Sequence, residues 1–131
     1  MLSPALKACL ESASAKALAS NGKAGLNVVP VSMLKVNDDS LWLFDFFMDK
    51  TALNIKENPE VALTCWNTMI GAQMKGTVTY VESGDVLAAG VAFVKEQNPA
   101  RVVKAVLVFT PTAIFDISPG GAFTPEELAI G

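Results

Sequence analysis

Histidine is absent from the 131 residues. That single absence removes the commonest general base at neutral pH, the commonest zinc ligand and the usual haem ligand. Cysteine is scarce: Cys9 and Cys65 are the only two, far apart and without a Cys-x-x-Cys spacing. They read as free buried thiols, and a cytoplasmic location follows from that reading. Charge is sparse as well, at 18% of residues, with a net charge of −3 and a pI near 4.8. Nucleic acid and anionic membrane both demand clustered lysine or arginine, so neither is expected as a partner, and any anion site must be local. Long apolar runs are missing too. Lys7, Glu11 and Lys16 interrupt the opening segment, which therefore holds no signal-peptide core, and no stretch is suited to span a bilayer. Nor is there a G-x-G-x-x-G, a Walker loop, an H-E-x-x-H or a βαβ rhythm.

What the chain does have is apolar material, at 51% of residues. A chain of this length makes one domain with one core, and the apolar surplus suits burial in a dimer. Ser3-Pro4 is an N-cap followed by proline at the first helical position, and opens a short amphipathic helix carrying Leu6, Cys9, Leu10 and Ala13 on one face. From Ser14 to Ser20 the period is two, before "NGKAG" turns the chain. "LNVVPVSMLKV" reads as one long strand with Pro30 in its middle, and therefore at an edge, a bulge or a ligand-facing lip. "NDDS" joins it hairpin fashion to "LWLFDFF". "VALTCWN" and "QMKGTVTYV" are two further strands. Ser83-Gly84-Asp85 starts a helix with an apolar stripe of Val86, Leu87, Gly90, Val91 and Val94, ended by Asn98-Pro99. "KAVLVFTPTAIFDI" is a last strand or bent pair, and Thr124 to Glu127 carries a capping-box pattern for a final helical turn. About six strands joined by short turns, with flanking helices, predict a mostly β, six-stranded antiparallel barrel spanning residues 1–131.

One stretch, "FMDKTALNIKENPEVAL" from Phe47 to Leu63, carries a chemical suggestion. If Asp49 is the N-cap of the helix, Lys50 and Thr51 fall in its first turn. Backbone N–H groups, the helix dipole, an ammonium and a hydroxyl then converge on one anion, which is a phosphate site in outline. Spacing alone is served as well by an ordinary capped surface helix.

The order of elements adds to this. "N-V-V-P-V-S" from Asn27 to Ser32, "K-T-A-L-N-I-K-E-N-P" from Lys50 to Pro59, and "Q-M-K-G" from Gln73 to Gly76 resemble, in sequence and spacing, the FMN-binding split barrels related to pyridoxamine 5'-phosphate oxidase. The resemblance runs from Ala15 to about Pro119. It implies a homodimer with FMN held between subunits, the phosphate near Lys50 and Thr51, and the ring against Pro30, Val31 and Ser32. It also implies that Phe44, Asp45 and Phe46 border the ribityl-phosphate region, although an aromatic run in a strand also serves simply as core, and it makes Gln73 a candidate to bond a flavin carbonyl, the alternative being an outward-facing polar residue on an alternating strand. For Lys75, Trp42 and Trp66 solvation or packing is the simpler role.

Two departures narrow the implied activity. The oxidase has an Arg-Lys pair where this chain has Asp49-Lys50, and its C-terminal substrate segment with tryptophan and arginine has no counterpart in "SPGGAFTPEELAIG". The expectation is thus an FMN-binding oxidoreductase or electron carrier, served by a nicotinamide or protein electron donor, rather than an oxidase of vitamin B6. A barrel holding the deazaflavin F420, or a ligand-free dimeric interaction module, are the alternatives.

Overall fold

The computed structural model describes all 131 residues. Ten elements follow in chain order: α1 (Pro4–Ser12), β1 (Ala15–Ser20), β2 (Asn27–Pro30), β3 (Leu34–Val36), β4 (Leu41–Asp45), α2 (Asp49–Glu57), β5 (Glu60–Asn67), β6 (Ile70–Val81), α3 (Asp85–Gln97) and β7 (Ala105–Asp116). All seven strands form one antiparallel sheet in the order β2-β1-β5-β6-β7-β4-β3.

The two outermost strands, β2 and β3, are neighbours in the chain, separated only by Val31, Ser32 and Met33. The sheet therefore curls until its two edges are joined by this three-residue segment. The expected long strand from Leu26 to Val36 thus exists as an extended segment that changes partners midway. β2 pairs with β1 up to Pro30, and β3 pairs with β4 from Leu34. Pro30 contributes no N–H to the ladder, and the last bond to β1 is the Val31 N–H donating to the Lys16 carbonyl at 2.9 Å, after which pairing lapses. Counted as one interrupted strand, β2 and β3 restore the expected six-stranded barrel; counted by pairing, there are seven.

Alternation along the strands sorts residues between two faces. Leu18, Leu41, Leu43, Leu63, Cys65, Met74, Leu107 and Phe109 point inward, and α1 lays Leu6 and Leu10 on the same core. Ser3 caps α1 by accepting from the Leu6 N–H at 3.1 Å. On the opposite face α3 covers only one side of the barrel, where Phe44, Val94 and Val106 form a second, smaller core. Gly90 permits that approach, since a Cβ there would overlap the Val106 side chain. Phe93 stacks on Phe44 with centroids 5.7 Å apart, whereas Val91 of the expected stripe is exposed.

β6 and β7 are long and bent. Their register shifts between Lys75 and Gly76, leaving Thr112 as the extra residue of a bulge. A Cβ on Gly76 would overlap the Thr110 carbonyl oxygen, so the glycine of "Q-M-K-G" is a packing requirement of this bulge. The capping box at Thr124 forms, with Glu127 Oε1 accepting from the Thr124 N–H at 2.8 Å and Thr124 Oγ1 from the Glu127 N–H at 3.2 Å. It closes a single turn over Pro125 to Leu128, in which the Leu128 N–H donates to the Thr124 carbonyl at 3.3 Å.

Candidate functional site

The helix α2 begins one residue earlier than its sequence suggests. Asp49 is its first helical residue, and the N-cap is Met48, which has no side chain able to cap. The capping carboxylate comes instead from the end of β4: Asp45 Oδ1 accepts from the Met48 N–H at 2.7 Å. Asp45 is buried, and its other oxygen accepts from the Tyr80 hydroxyl. Burial, and then the Asp45 carboxylate, push the Tyr80 phenol above its ordinary pKa, so it stays a donor.

Because Asp45 is committed to Met48, the backbone N–H groups of Asp49, Lys50 and Thr51 donate to no protein acceptor. They face a groove of about 380 Å³ lined by Asn27, Val29, Pro30, Phe47, Met48, Asp49, Lys50 and Thr51. That volume lies within the range of about 300–1,000 Å³ usual for small-molecule clefts. Thr51 is buried, and its hydroxyl accepts from Asn27 Nδ2 at 3.1 Å, which leaves its own proton free to donate. Lys50 is exposed at the groove's rim, and so is the Asp49 carboxylate, which opposes an anion unless it turns outward.

The groove's floor is held from below by Asn54, fully buried in the middle of α2. Its Oδ1 accepts from the Ala24 N–H at 2.7 Å, and its Nδ2 donates to the Gly25 carbonyl at 2.7 Å and to Ser20 Oγ at 3.2 Å. The "NGKAG" turn is thereby tied to α2, and the chain enters β2 at Asn27 already placed against Thr51.

At Pro30, Phe47 and Met48 the groove meets a narrower cleft of about 70 Å³, lined also by Val31, Ser32, Met33, Phe44, Phe46 and Arg101. Eight of the nine residues singled out by sequence thus sit together: Pro30, Val31, Ser32, Phe44, Phe46, Lys50 and Thr51 line the two connected hollows, and Asp45 fixes the helix between them. Phe44 is chiefly core, as an aromatic run in a strand allows. Gln73 stands apart. It is on the barrel's outer face, in the register row Pro30–Ala17–Thr64–Gln73, about 14 Å from Pro30 at the usual strand spacing.

Sequence reasoning missed Asn27 as the partner of Thr51, the lip residues Phe47 and Met48, and Arg101. Arg101 lies in the loop after α3, where the Asn98 side chain accepts from the Ala100 N–H and the Asn98 carbonyl from the Arg101 N–H. Its guanidinium is 4.7 Å from the Phe46 ring centroid, and Nη1 donates to Ser32 Oγ at 3.0 Å. No local motif announces such a contact. A larger hollow of about 540 Å³ lies on the outer face along β1, β5 and β6. It is a stretch of uncovered sheet without converging backbone donors, and the α2 groove is the better ligand site.

A curled antiparallel sheet with flanking helices, whose two edge strands are successive parts of one chain segment, matches the split-barrel fold. The family model described as pyridoxamine 5'-phosphate oxidase matches residues 2–119, and the chain belongs to that family. An uncharacterised protein of Methanocaldococcus jannaschii is 34% identical over 108 residues, covering 79% of this chain and 72% of that one. Among solved structures, HupZ of Group A Streptococcus superposes with a TM-score of 0.81 at 19% identity, covering 95% of this chain and all of that one. An FMN-binding protein from Syntrophomonas wolfei gives a TM-score of 0.71 at 19% identity, covering 86% and 88%. The fold recurs in a heme storage protein of Vibrio cholerae and in an F420 reductase, so the likeness of fold does not by itself select a ligand.

Proposed function

We propose that the protein is an FMN-binding flavoprotein acting as an oxidoreductase or electron carrier. The observation that carries this reading is the start of α2, where three free backbone N–H groups, the Thr51 hydroxyl and the Lys50 ammonium border the same groove as the strand that carries Pro30. A phosphate monoester satisfies all of these donors at once. Ser32 and Met33, which pair with neither β1 nor β4 once the Val31 N–H has donated to the Lys16 carbonyl, leave backbone groups beside an apolar lip for a planar ring. FMN, when bound, supplies the hydride or one-electron chemistry, and the chain supplies binding, orientation and electrostatics.

The partner side of the reading is a homodimer. The outer face of β1, β5 and β6 is uncovered and lined by small side chains, with Ala17, Ala19 and Ala62 next to Thr64 and Gln73. Exposed Leu26, Val28 and Trp66 border it. A second subunit packing there brings Gln73 toward a ligand held between subunits, which is the one route by which Gln73 joins the site. A heme ligand finds no histidine in this chain. Mass spectrometry and the visible spectrum of ligand released from freshly purified protein test the proposal. Released FMN supports it; F420 or heme replaces the cofactor; no ligand, with no rise in melting temperature on adding FMN, leaves a ligand-free module.

A further inference from the structure

Arg101 is the only arginine in the chain. The protein carries an excess of acid, yet none of its three ion pairs involves Arg101. One of its five N–H donors is used by Ser32, and the others have no protein acceptor. The guanidinium rests on the Phe46 ring, an arrangement that holds its plane and leaves its N–H edge available. The narrow cleft beside it has room for a small head group, and apart from Ser32 and Arg101 its lining is apolar.

Lys50 and Arg101 therefore line different hollows, which adjoin at Pro30, Phe47 and Met48. A mononucleotide has one phosphate, and the α2 terminus already answers it. We propose that Arg101 forms a second anion subsite, which takes the carboxylate of the substrate while an apolar or aromatic body rests on the lip formed by Phe47 and Met48. A planar carboxylate matches the guanidinium fork with two parallel hydrogen bonds, a geometry that neither lysine nor a neutral amide reproduces. This names the substrate class and rests on the flavin reading only for what lies beside it.

The test uses benzoate and its neutral isostere benzamide as probes, titrated into the full chain with and without saturating FMN. As the only arginine, Arg101 gives a single Nε–Hε cross-peak in a ¹H–¹⁵N spectrum, which reports on the subsite directly. Benzoate is expected to shift this peak saturably and to bind about 10-fold or more tighter than benzamide, as a charge-assisted pair requires. In R101Q, benzoate binding read from the Ser32 and Phe46 amides should weaken about 10-fold, with R101K intermediate. Equal response to both probes, an unmoved Arg101 peak up to tens of millimolar benzoate, or unchanged binding in R101Q overturns the inference. FMN binding is read separately by flavin fluorescence. If FMN fails to bind while the Arg101 peak responds to benzoate, the subsite stands and the cofactor falls; the converse sinks the subsite alone.

Discussion

Replacing Asn54 with alanine tests whether the groove is built from below as described. Asn54 is fully buried and makes three hydrogen bonds to Ala24, Gly25 and Ser20, so N54A leaves one N–H, one carbonyl and one hydroxyl without partners. Each bond contributes about 1 kcal/mol net; the Ser20 hydroxyl is buried, while the Ala24 and Gly25 groups are partly covered and recover some of the loss from water. We therefore expect N54A to be destabilised by about 3 kcal/mol. Urea unfolding followed by the fluorescence of Trp42 and Trp66, at fixed protein concentration, should show a lower midpoint with an unchanged slope. FMN affinity should fall as well, because the turn that delivers Asn27 to Thr51 is no longer tied down. A variant within about 0.5 kcal/mol of wild type, the range of ordinary surface substitutions, would refute the reasoning.

Other consequences follow from particular contacts. Y80F removes the donor to the buried Asp45 carboxylate and should cost about 1.5–3 kcal/mol in the same unfolding assay. The Tyr80 pKa is raised by burial and then by Asp45, so wild type should lose stability as pH rises past the unfolded tyrosine value of about 10, a loss absent from Y80F. Thr68 opens the two-residue turn between β5 and β6 with φ of +53°, which glycine adopts freely, so T68G should raise the melting temperature, by about 1 kcal/mol of stability. Asp116 accepts backbone N–H bonds from Ser118, Ala122 and Phe123, led by Ala122, and its pKa is held well below the ordinary carboxylate range. A depressed carboxylate contributes fully above its unfolded value near 3.9 and loses the contribution as pH falls through the folded one. Hydrogen-exchange protection at Ala122 and Phe123, taken relative to the intrinsic amide rate at each pH, should fall on acidification below about pH 4 in wild type and be low throughout in D116A.

Much of the barrel was legible because its signals are local. Alternation identified the strands, Ser3-Pro4 and Asn58-Pro59 marked helix ends, and the 12-residue β7 needed only its apolar run. The partner change between β2 and β3 was not legible, because Val31 to Met33 continue an extended apolar pattern and only the three-dimensional closure gives the two halves different neighbours. The cap of α2 was misassigned to Asp49 for a similar reason. Asp45 performs that role from a strand end three residues before Met48, and Asp-Lys-Thr looks the same with either acid in charge. Asn54 did carry a readable sign, a polar residue between Leu53 and Ile55 on a helix facing the sheet, but its three partners lie some 30 residues earlier. Arg101 had none: the ring and hydroxyl it meets come from residues 46 and 32, and only folding joins them. Gln73 ended apart from the groove because β6 lies three strands from β2, an order that no local signal fixes.

The central claim is that the open terminus of α2 receives the phosphate of FMN. Titration of FMN into the purified apoprotein, with quenching of flavin fluorescence as readout, tests it most directly when run for wild type and K50A at low and at high salt. The account predicts saturable binding at one FMN per chain, weakened by about 10-fold in K50A at low salt, with the difference shrinking as salt screens the exposed ammonium. Identical affinity for wild type and K50A at both salt concentrations, or equal affinity for riboflavin, which lacks the phosphate, would contradict it.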